Sequence, residues 1–194
     1  GSQEASINIE ITESIIAKAD NSLLAIYKRF PIAFEKGNGV YLYDAEGKEY
    51  LDFGAGIAVM ALGYNHPKYK TALKNQIDKL IHTSNLFYHE EGADAADNLR
   101  KSSGLDHVFF TNSGTEAVEG ALKLAKKFAN VQDKKNYEII AMNHSFHGRS
   151  LGSLSITGTE KYREPFEPLI PNVKFAEYNN LDSVRQLINN STAA

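Results

Sequence analysis

Residues 109–129 read FFTNSGTEAVEGALKLAKKFA, and they decide the fold. A short apolar run meets a polar turn, Asn112-Ser113-Gly114-Thr115, and the turn opens straight into a helical pattern. Val118, Ala121, Leu122, Ala125, Phe128 and Ala129 form one apolar stripe at helical spacing. Glu116 and Glu119 fall in the first turns, with Lys123, Lys126 and Lys127 toward the end, an order that suits the helix dipole. The first turn of such a helix carries free N–H groups and partial positive charge. Gly114 lets a ligand approach the backbone, and Ser113 and Thr115 add hydroxyls, so the turn reads as an anion site, best suited to a phosphate. Simple capping of the helix by Ser113 or Thr115 explains the same residues and stays open at this point. No Gly-Lys-Ser/Thr follows, so the turn is not a Walker sequence.

Working outward, His107–Phe110 is predicted as the strand that feeds this turn, and Glu138–Met142 (EIIAM) as a buried strand after the helix. A third short strand is expected over Val173–Ala176 and a last helix over Leu181–Asn189. Upstream, helices are expected over 90–101 and from Asn65-His66-Pro67, the latter with a face of Tyr69, Ala72, Leu73, Gln76, Ile77 and Leu80. Strand then helix in this rhythm predicts α/β architecture with a mostly parallel sheet. The N-terminal part breaks the rhythm. Val40–Tyr43 and Glu49–Phe53 flank the turn Ala45–Lys48 as a hairpin, Gly54 and Gly56 end it, and residues 11–29 read as helix and loop with Ile11, Ile15, Ile16 and Ala19 on one face. We therefore expect residues 1–60 to contribute to a smaller domain and residues 61–194 to form the first part of a larger one. The last residues, NNSTAA, follow a helix where another strand is due, so the sheet is expected to be unfinished.

Composition bounds the function. The 194 residues are 42% hydrophobic and 23% charged with a net charge of −3, an ordinary globular balance that gives no reason to expect nucleic acid or a membrane surface as partner. With no cysteine there is no disulfide framework or thiolate metal site, and a cytoplasmic setting is the expectation. No apolar run reaches membrane-span length, and GSQEASINIE has neither the basic nor the apolar region of a signal peptide.

The second informative stretch, residues 141–158 (AMNHSFHGRSLGSLSITG), also follows a strand, where open α/β sheets bind ligands. Phe146, beside Gly148, suits stacking on a flat heterocycle, and the Arg149 guanidinium suits a carboxylate. A Phe tucked into the core and a solvated Arg fit equally well. His144 and His147 form H-x-x-H with no third metal ligand at matching spacing.

Taken in order, GVYLYDAEGKEYLDFGAGIAVMALGYNHP, HTSNLF, FFTNSGTEAVEGALKLA and NHSFHGRSLGSLSITG resemble the class III aminotransferases from about Tyr27 onward. The resemblance implies the aspartate aminotransferase-like type I fold of pyridoxal phosphate enzymes, and a homodimer with active sites at the subunit interface. It implies that Ser113, Gly114 and Thr115 bind the cofactor phosphate, that Phe146 stacks on the pyridine ring, and that Arg149 binds the substrate α-carboxylate. It sets Tyr27 and Ile57 in the substrate pocket and Asn85 in an interface stretch. Within the family, the sequence points to an enzyme that moves the terminal amino group of N-acetylornithine to 2-oxoglutarate in arginine biosynthesis. Ornithine, succinylornithine and 4-aminobutyrate are the alternative donors. The family's Schiff-base Lys and pyridine-nitrogen Asp have no counterpart here, which points to the N-terminal portion of such an enzyme. On that reading no catalytic residue lies in this chain and the chain alone is inactive. Outside the enzyme class, a non-catalytic binding or assembly fragment and an unrelated nucleotide-phosphate binder complete the alternatives.

Overall fold

The structure is a computed structural model that describes residues 2–194, with side chains described from residue 11. Contacts divide the chain into two compact units, one up to His89 and one from Glu90 to Ala194. The expected domain division falls earlier, between residues 60 and 61.

The N-terminal unit begins with helix α1 (Ser2–Ser22) and continues into a three-stranded antiparallel sheet of β1 (Phe34–Asn38), β2 (Tyr41–Asp44) and β3 (Glu49–Leu51). The hairpin of β2 and β3 is the predicted one. Its turn is built by Asp44, whose carboxylate accepts the backbone N–H groups of Glu46 (3.1 Å) and Lys48 (2.8 Å) and the Tyr50 hydroxyl (2.8 Å). Gly47 takes φ +80° there, a conformation open to glycine at little cost. β1 was not expected, since FEKGN has no clear alternation; it pairs with β2 across Gly39-Val40, with an irregular register between Phe34 and Lys36. Beyond β3 the chain makes one left-handed turn, α2 (Ala55–Ala58), with φ of 45°, 62°, 65° and 65° at its four residues. Asp52 anchors its start by accepting the N–H groups of Gly54 (3.0 Å) and Ala55 (3.1 Å) and the Tyr64 hydroxyl (2.5 Å). Helix α3 (Pro67–Lys79) follows, with Pro in its first turn as predicted.

The second unit opens with α4 (Glu90–Ser103). His107–Phe110 is not a strand; it has no regular secondary structure and no ladder partner among the described residues, a correction to the sequence reading. Helix α5 (Gly114–Val131) then leads to β4 (Ile139–Met142), which pairs in parallel with β5 (Val173–Ala176). Between them lie the short helices α6 (Leu151–Ser155) and α7 (Glu160–Arg163), and α8 (Leu181–Leu187) follows β5. The core lies where the α5 stripe meets the sheet: Leu122 packs with Ile139, Ala141 and Ile156, flanked by Val118, Ala125, Val173 and Phe175. The parallel pairing, the crossover through helices and the α5 stripe all agree with the α/β expectation.

Candidate functional site

Two segments of the second unit build the site, the turn that starts α5 and the loop that leaves β4. At the turn, Ser113 is the N-cap: its backbone is extended (φ −156°, ψ 164°) and its hydroxyl accepts the Glu116 N–H at 3.2 Å. Glu116 reaches back and accepts the Asn112 N–H at 2.7 Å, which makes the S-G-T-E sequence a variant of the capping box. The amides of Gly114 and Thr115 have no acceptor among the described residues, and a Cβ at Gly114 would meet nothing within 4 Å. Two backbone donors at the positive end of an 18-residue helix are therefore without an acceptor among the described residues, and the Ser113 hydroxyl stands next to them. Capping and anion binding coexist, because the cap uses the Ser113 oxygen and leaves the neighbouring amides.

The Thr115 hydroxyl does something else. It lies 2.7 Å from both the Ser150 and the Ser153 hydroxyls. Ser150 donates to Glu119 Oε1 (2.5 Å) and Ser153 to the Ser150 carbonyl (3.1 Å), so the Thr115 hydroxyl is engaged in one inward-facing network with the two serines. Thr115 thus offers an anion its amide and not its hydroxyl. Glu119 Oε1 also accepts the Ser153 N–H at 2.9 Å. The Ser150 hydroxyl foremost, against the opposing effect of burial, holds the Glu119 carboxyl below its ordinary value, with help from the Ser153 and Gly152 amides and the Lys126 charge. Read from sequence as a partner for the dipole of its own helix, Glu119 instead ties α5 to α6.

The loop is shaped to allow this approach. A Cβ at Gly148 (φ +133°) would collide with the Thr115 hydroxyl and lie 2.6 Å from Ser153 Oγ, and one at Gly152 would collide with the Glu119 carboxylate. Thr157, fully buried, accepts the His147 N–H (3.1 Å) and donates to the Ser153 carbonyl (3.0 Å), fixing the loop from beneath. Above this layer the Phe146 ring is 59% exposed. The Arg149 guanidinium lies 5.6 Å from the Phe146 centroid and 5.5 Å from that of Tyr162, and it has no carboxylate partner among the described residues. It is held over aromatic faces with its donors available.

The structure therefore brings Ser113, Gly114 and Thr115 together with the loop of Phe146 and Arg149. Tyr27 and Ile57 belong to the N-terminal unit, 60% and 93% exposed, Ile57 on the left-handed turn and Tyr27 beneath the Arg29 guanidinium at 5.7 Å. Sequence reasoning missed Glu119, Ser150, Ser153 and Tyr162. Two signals were present, the four-residue spacing of Thr115 and Glu119 along a helix and the three-residue spacing of Ser150 and Ser153. Among the described residues no cluster of His, Asp and Glu could hold a metal, and no helix is long and apolar enough to cross a membrane.

This geometry has relatives. The acetylornithine aminotransferase of Clostridium acetobutylicum is 47% identical over 173 residues, covering 89% of this chain and 45% of that protein. That of Aquifex aeolicus is 48% identical over 172 residues, covering 88% and 46%. The chain thus spans somewhat under half the length of the curated relatives it matches. Among solved structures, an ornithine aminotransferase from Toxoplasma gondii, described with partial occupancy of PLP at its active site, superposes with a TM-score of 0.88 at 28% identity over 94% of this chain and 44% of that one. The omega transaminase of Pseudomonas jessenii in complex with PMP gives 0.76 at 26% identity, covering 83% and 38%. Residues 25–194 match the profile of the family Aminotransferase class-III, a span that takes in the turn, the loop and the sheet that carries them, and on this match the chain belongs to the class III aminotransferases.

Proposed function

We propose that this chain carries the phosphate turn, the stacking ring and the carboxylate-reading arginine of an aminotransferase that uses pyridoxal phosphate. The observation that carries the reading is the pair of unaccepted amides at Gly114 and Thr115, locked through Thr115 and Glu119 to the loop that presents Phe146 and Arg149. The cofactor is supported by the family match and by solved relatives described with PLP or PMP. The residues present fit it. The open Cβ position of Gly114 and the two amides suit a phosphate dianion, and the exposed Phe146 ring suits a pyridine face. When bound, pyridoxal phosphate supplies an electron sink for the pair left behind when a proton is removed from the carbon bearing the amino group. The residues of this chain do the positioning. Gly114 and Thr115 amides and the Ser113 hydroxyl would hold the phosphate end, Phe146 would pack on the ring face, and Arg149 would take the substrate carboxylate in a bidentate fork.

N-acetylornithine is the amino donor we favour and 2-oxoglutarate the acceptor, a step of arginine biosynthesis, because the curated relatives at 47% and 48% identity are acetylornithine aminotransferases. Ornithine is the second reading, favoured by the Toxoplasma gondii superposition. Succinylornithine and 4-aminobutyrate follow on family grounds alone. The same reading carries two further expectations, a cytoplasmic location and a homodimer whose active sites form at the interface, with Tyr27 and Ile57 shaping the substrate pocket.

The test is a comparison of kcat/KM for N-acetylornithine, N-succinylornithine, ornithine and 4-aminobutyrate with 2-oxoglutarate in the full-length protein. A preference for ornithine over its N-acetyl form overturns the substrate assignment. The 194-residue chain alone is expected to show no turnover, because the family's Schiff-base lysine has no counterpart in its sequence. Lys174 pairs with Glu138 at 2.7 Å, and Lys126 and Lys161 stand over Tyr137 and Tyr162. Steady transamination by a preparation of this chain free of longer species would refute that.

A further inference from the structure

Resting on the cofactor reading above, we infer that Glu119 is a positioning residue that couples the phosphate turn to the arginine loop, so that one carboxylate sets the spacing between the two ends of the bound cofactor and substrate.

The residues stand as a bracket. Thr115 and Glu119 are four apart on α5 and project from the same face. Ser150 and Ser153 are three apart, the first capping α6 and the second within it. Each of the two α5 side chains contacts both serines. Thr115 Oγ1 is 2.7 Å from each hydroxyl, and Glu119 Oε1 accepts the Ser150 hydroxyl at 2.5 Å and the Ser153 N–H at 2.9 Å. Ser153 and its hydroxyl are fully buried, so the bracket is shielded from water on one side. At one end Thr115 continues into the free amides of the turn. At the other, Ser150 is the residue after Arg149. Gly148 and Gly152 have no space for a side chain because the bracket occupies it, so the loop is fitted around these four residues and not merely near them.

Glu119 itself touches neither the turn's open face nor the Phe146 ring. Its effect passes through Ser150 and Ser153, and it faces two ways. Removing the carboxylate leaves a hydroxyl and an amide without their acceptor, and both the Thr115 backbone and the Arg149 loop lose a fixed reference. A residue that merely stabilised the fold would lower melting temperature and leave ligand constants alone. A residue at the phosphate turn alone would alter cofactor affinity, and one at the arginine alone would alter the donor KM. Glu119 is predicted to move both together.

The experiment uses the full-length protein and measures three quantities: the pyridoxal phosphate Kd by equilibrium dialysis, the visible circular dichroism of bound cofactor, and the KM for the amino donor. Glu119→Ala is expected to weaken cofactor binding and raise the donor KM, each by about tenfold, the loss typical of a charge-assisted hydrogen bond, and to change the visible dichroism. Glu119→Gln keeps an Oε1 acceptor at the same place and is expected to restore both constants to within about threefold of the parent. Thr115→Val, which removes the other arm of the bracket while keeping its shape, is expected to move both constants as well, and it serves if Glu119→Ala does not fold. Constants within about twofold of the parent in Glu119→Ala, a shift in only one of them, or failure of Gln to improve on Ala overturns the coupling while leaving the cofactor reading intact. If the unsubstituted full-length protein binds no pyridoxal phosphate, the cofactor reading falls and the coupling with it.

Discussion

Single residues divide the labour at this site, and substitutions should separate them. Arg149 is held over Phe146 and Tyr162 with no carboxylate partner among the described residues. Arg149→Ala is expected to raise the donor KM on the order of ten- to a hundredfold, the equivalent of roughly 1.5–3 kcal/mol for a charge-assisted hydrogen bond, while cofactor retention changes little. Phe146→Ala should do the reverse and raise the cofactor Kd first. A donor KM within about twofold of the parent in Arg149→Ala would remove the carboxylate role. Gly148 is the residue where backbone and space act together. Its φ of +133° disfavours any L side chain, and its Cβ position is taken by Thr115 and Ser153. Gly148→Ala is expected to cost more than 1 kcal/mol in stability, read as a lower urea midpoint, and to displace the loop that carries Arg149.

Elements are held by their ends. Helix α5 begins in a cap where Ser113 accepts the Glu116 N–H and Glu116 accepts the Asn112 N–H. Ser113→Ala should cost about 1 kcal/mol, the usual value of an N-cap, and Ser113→Asp should recover most of it while repelling a phosphate. Urea melts of the two variants, set beside their cofactor affinity, tell capping from anion binding. In the N-terminal sheet the β2–β3 turn depends on one carboxylate. Burial pushes the Asp44 carboxyl up, but the Tyr50 hydroxyl and the Lys48 and Glu46 amides outweigh it and leave the group below its ordinary value. A carboxyl depressed in the folded state lends stability in full above its unfolded value, and that stability fades as pH falls through the lower folded value. The hairpin is therefore expected to loosen on acidification, with Asp44→Asn weaker at neutral pH and flatter in its acid response. Near-ultraviolet circular dichroism, reporting the Phe34–Tyr50 edge contact of 5.4 Å, follows it, and an acid limb unchanged in Asp44→Asn would refute the assignment.

Over the whole molecule, large apolar side chains stand open in both compact units. Phe30 (85%), Phe53 (91%), Ile57 (93%), Leu86 (86%) and Tyr88 (103%) are almost fully exposed, and the α3 face predicted from sequence, with Tyr69, Leu73 and Ile77, is exposed too. Surfaces of this kind are covered in stable soluble assemblies. The 194-residue chain by itself is expected to self-associate and to bind a hydrophobic dye, and a monodisperse monomer in light scattering with no dye binding would contradict this.

Local chemistry alone made α5 and its turn legible, because the apolar stripe, the S-x-x-E cap and the glycine all lie within a few residues of one another. The same holds for β4, β5 and the β2–β3 turn, whose apolar runs and Asp-to-Gly turn residues are continuous in sequence. The roles expected for Phe146 and Arg149 came from their place after a strand and from resemblance, and the geometry is compatible with both. What pairing decides could not be read this way. His107–Phe110 has a strand's composition and forms no ladder among the described residues, since a strand exists only where a neighbour accepts its hydrogen bonds. β1 has a poor pattern and is a strand because Tyr41–Asp44 lies beside it. The left-handed turn at Ala55–Ala58 was marked in sequence only by Gly54 and Gly56; the Asp52 carboxylate that anchors its start is held by the hydroxyl of Tyr64, twelve residues on. Glu119 shows the division most clearly. Its spacing from Thr115 was visible in the sequence, but Ser150 and Ser153 lie more than thirty residues away. Only the fold, by bringing α6 against the first turns of α5, turned a helix-end carboxylate into the tie between the two halves of the site.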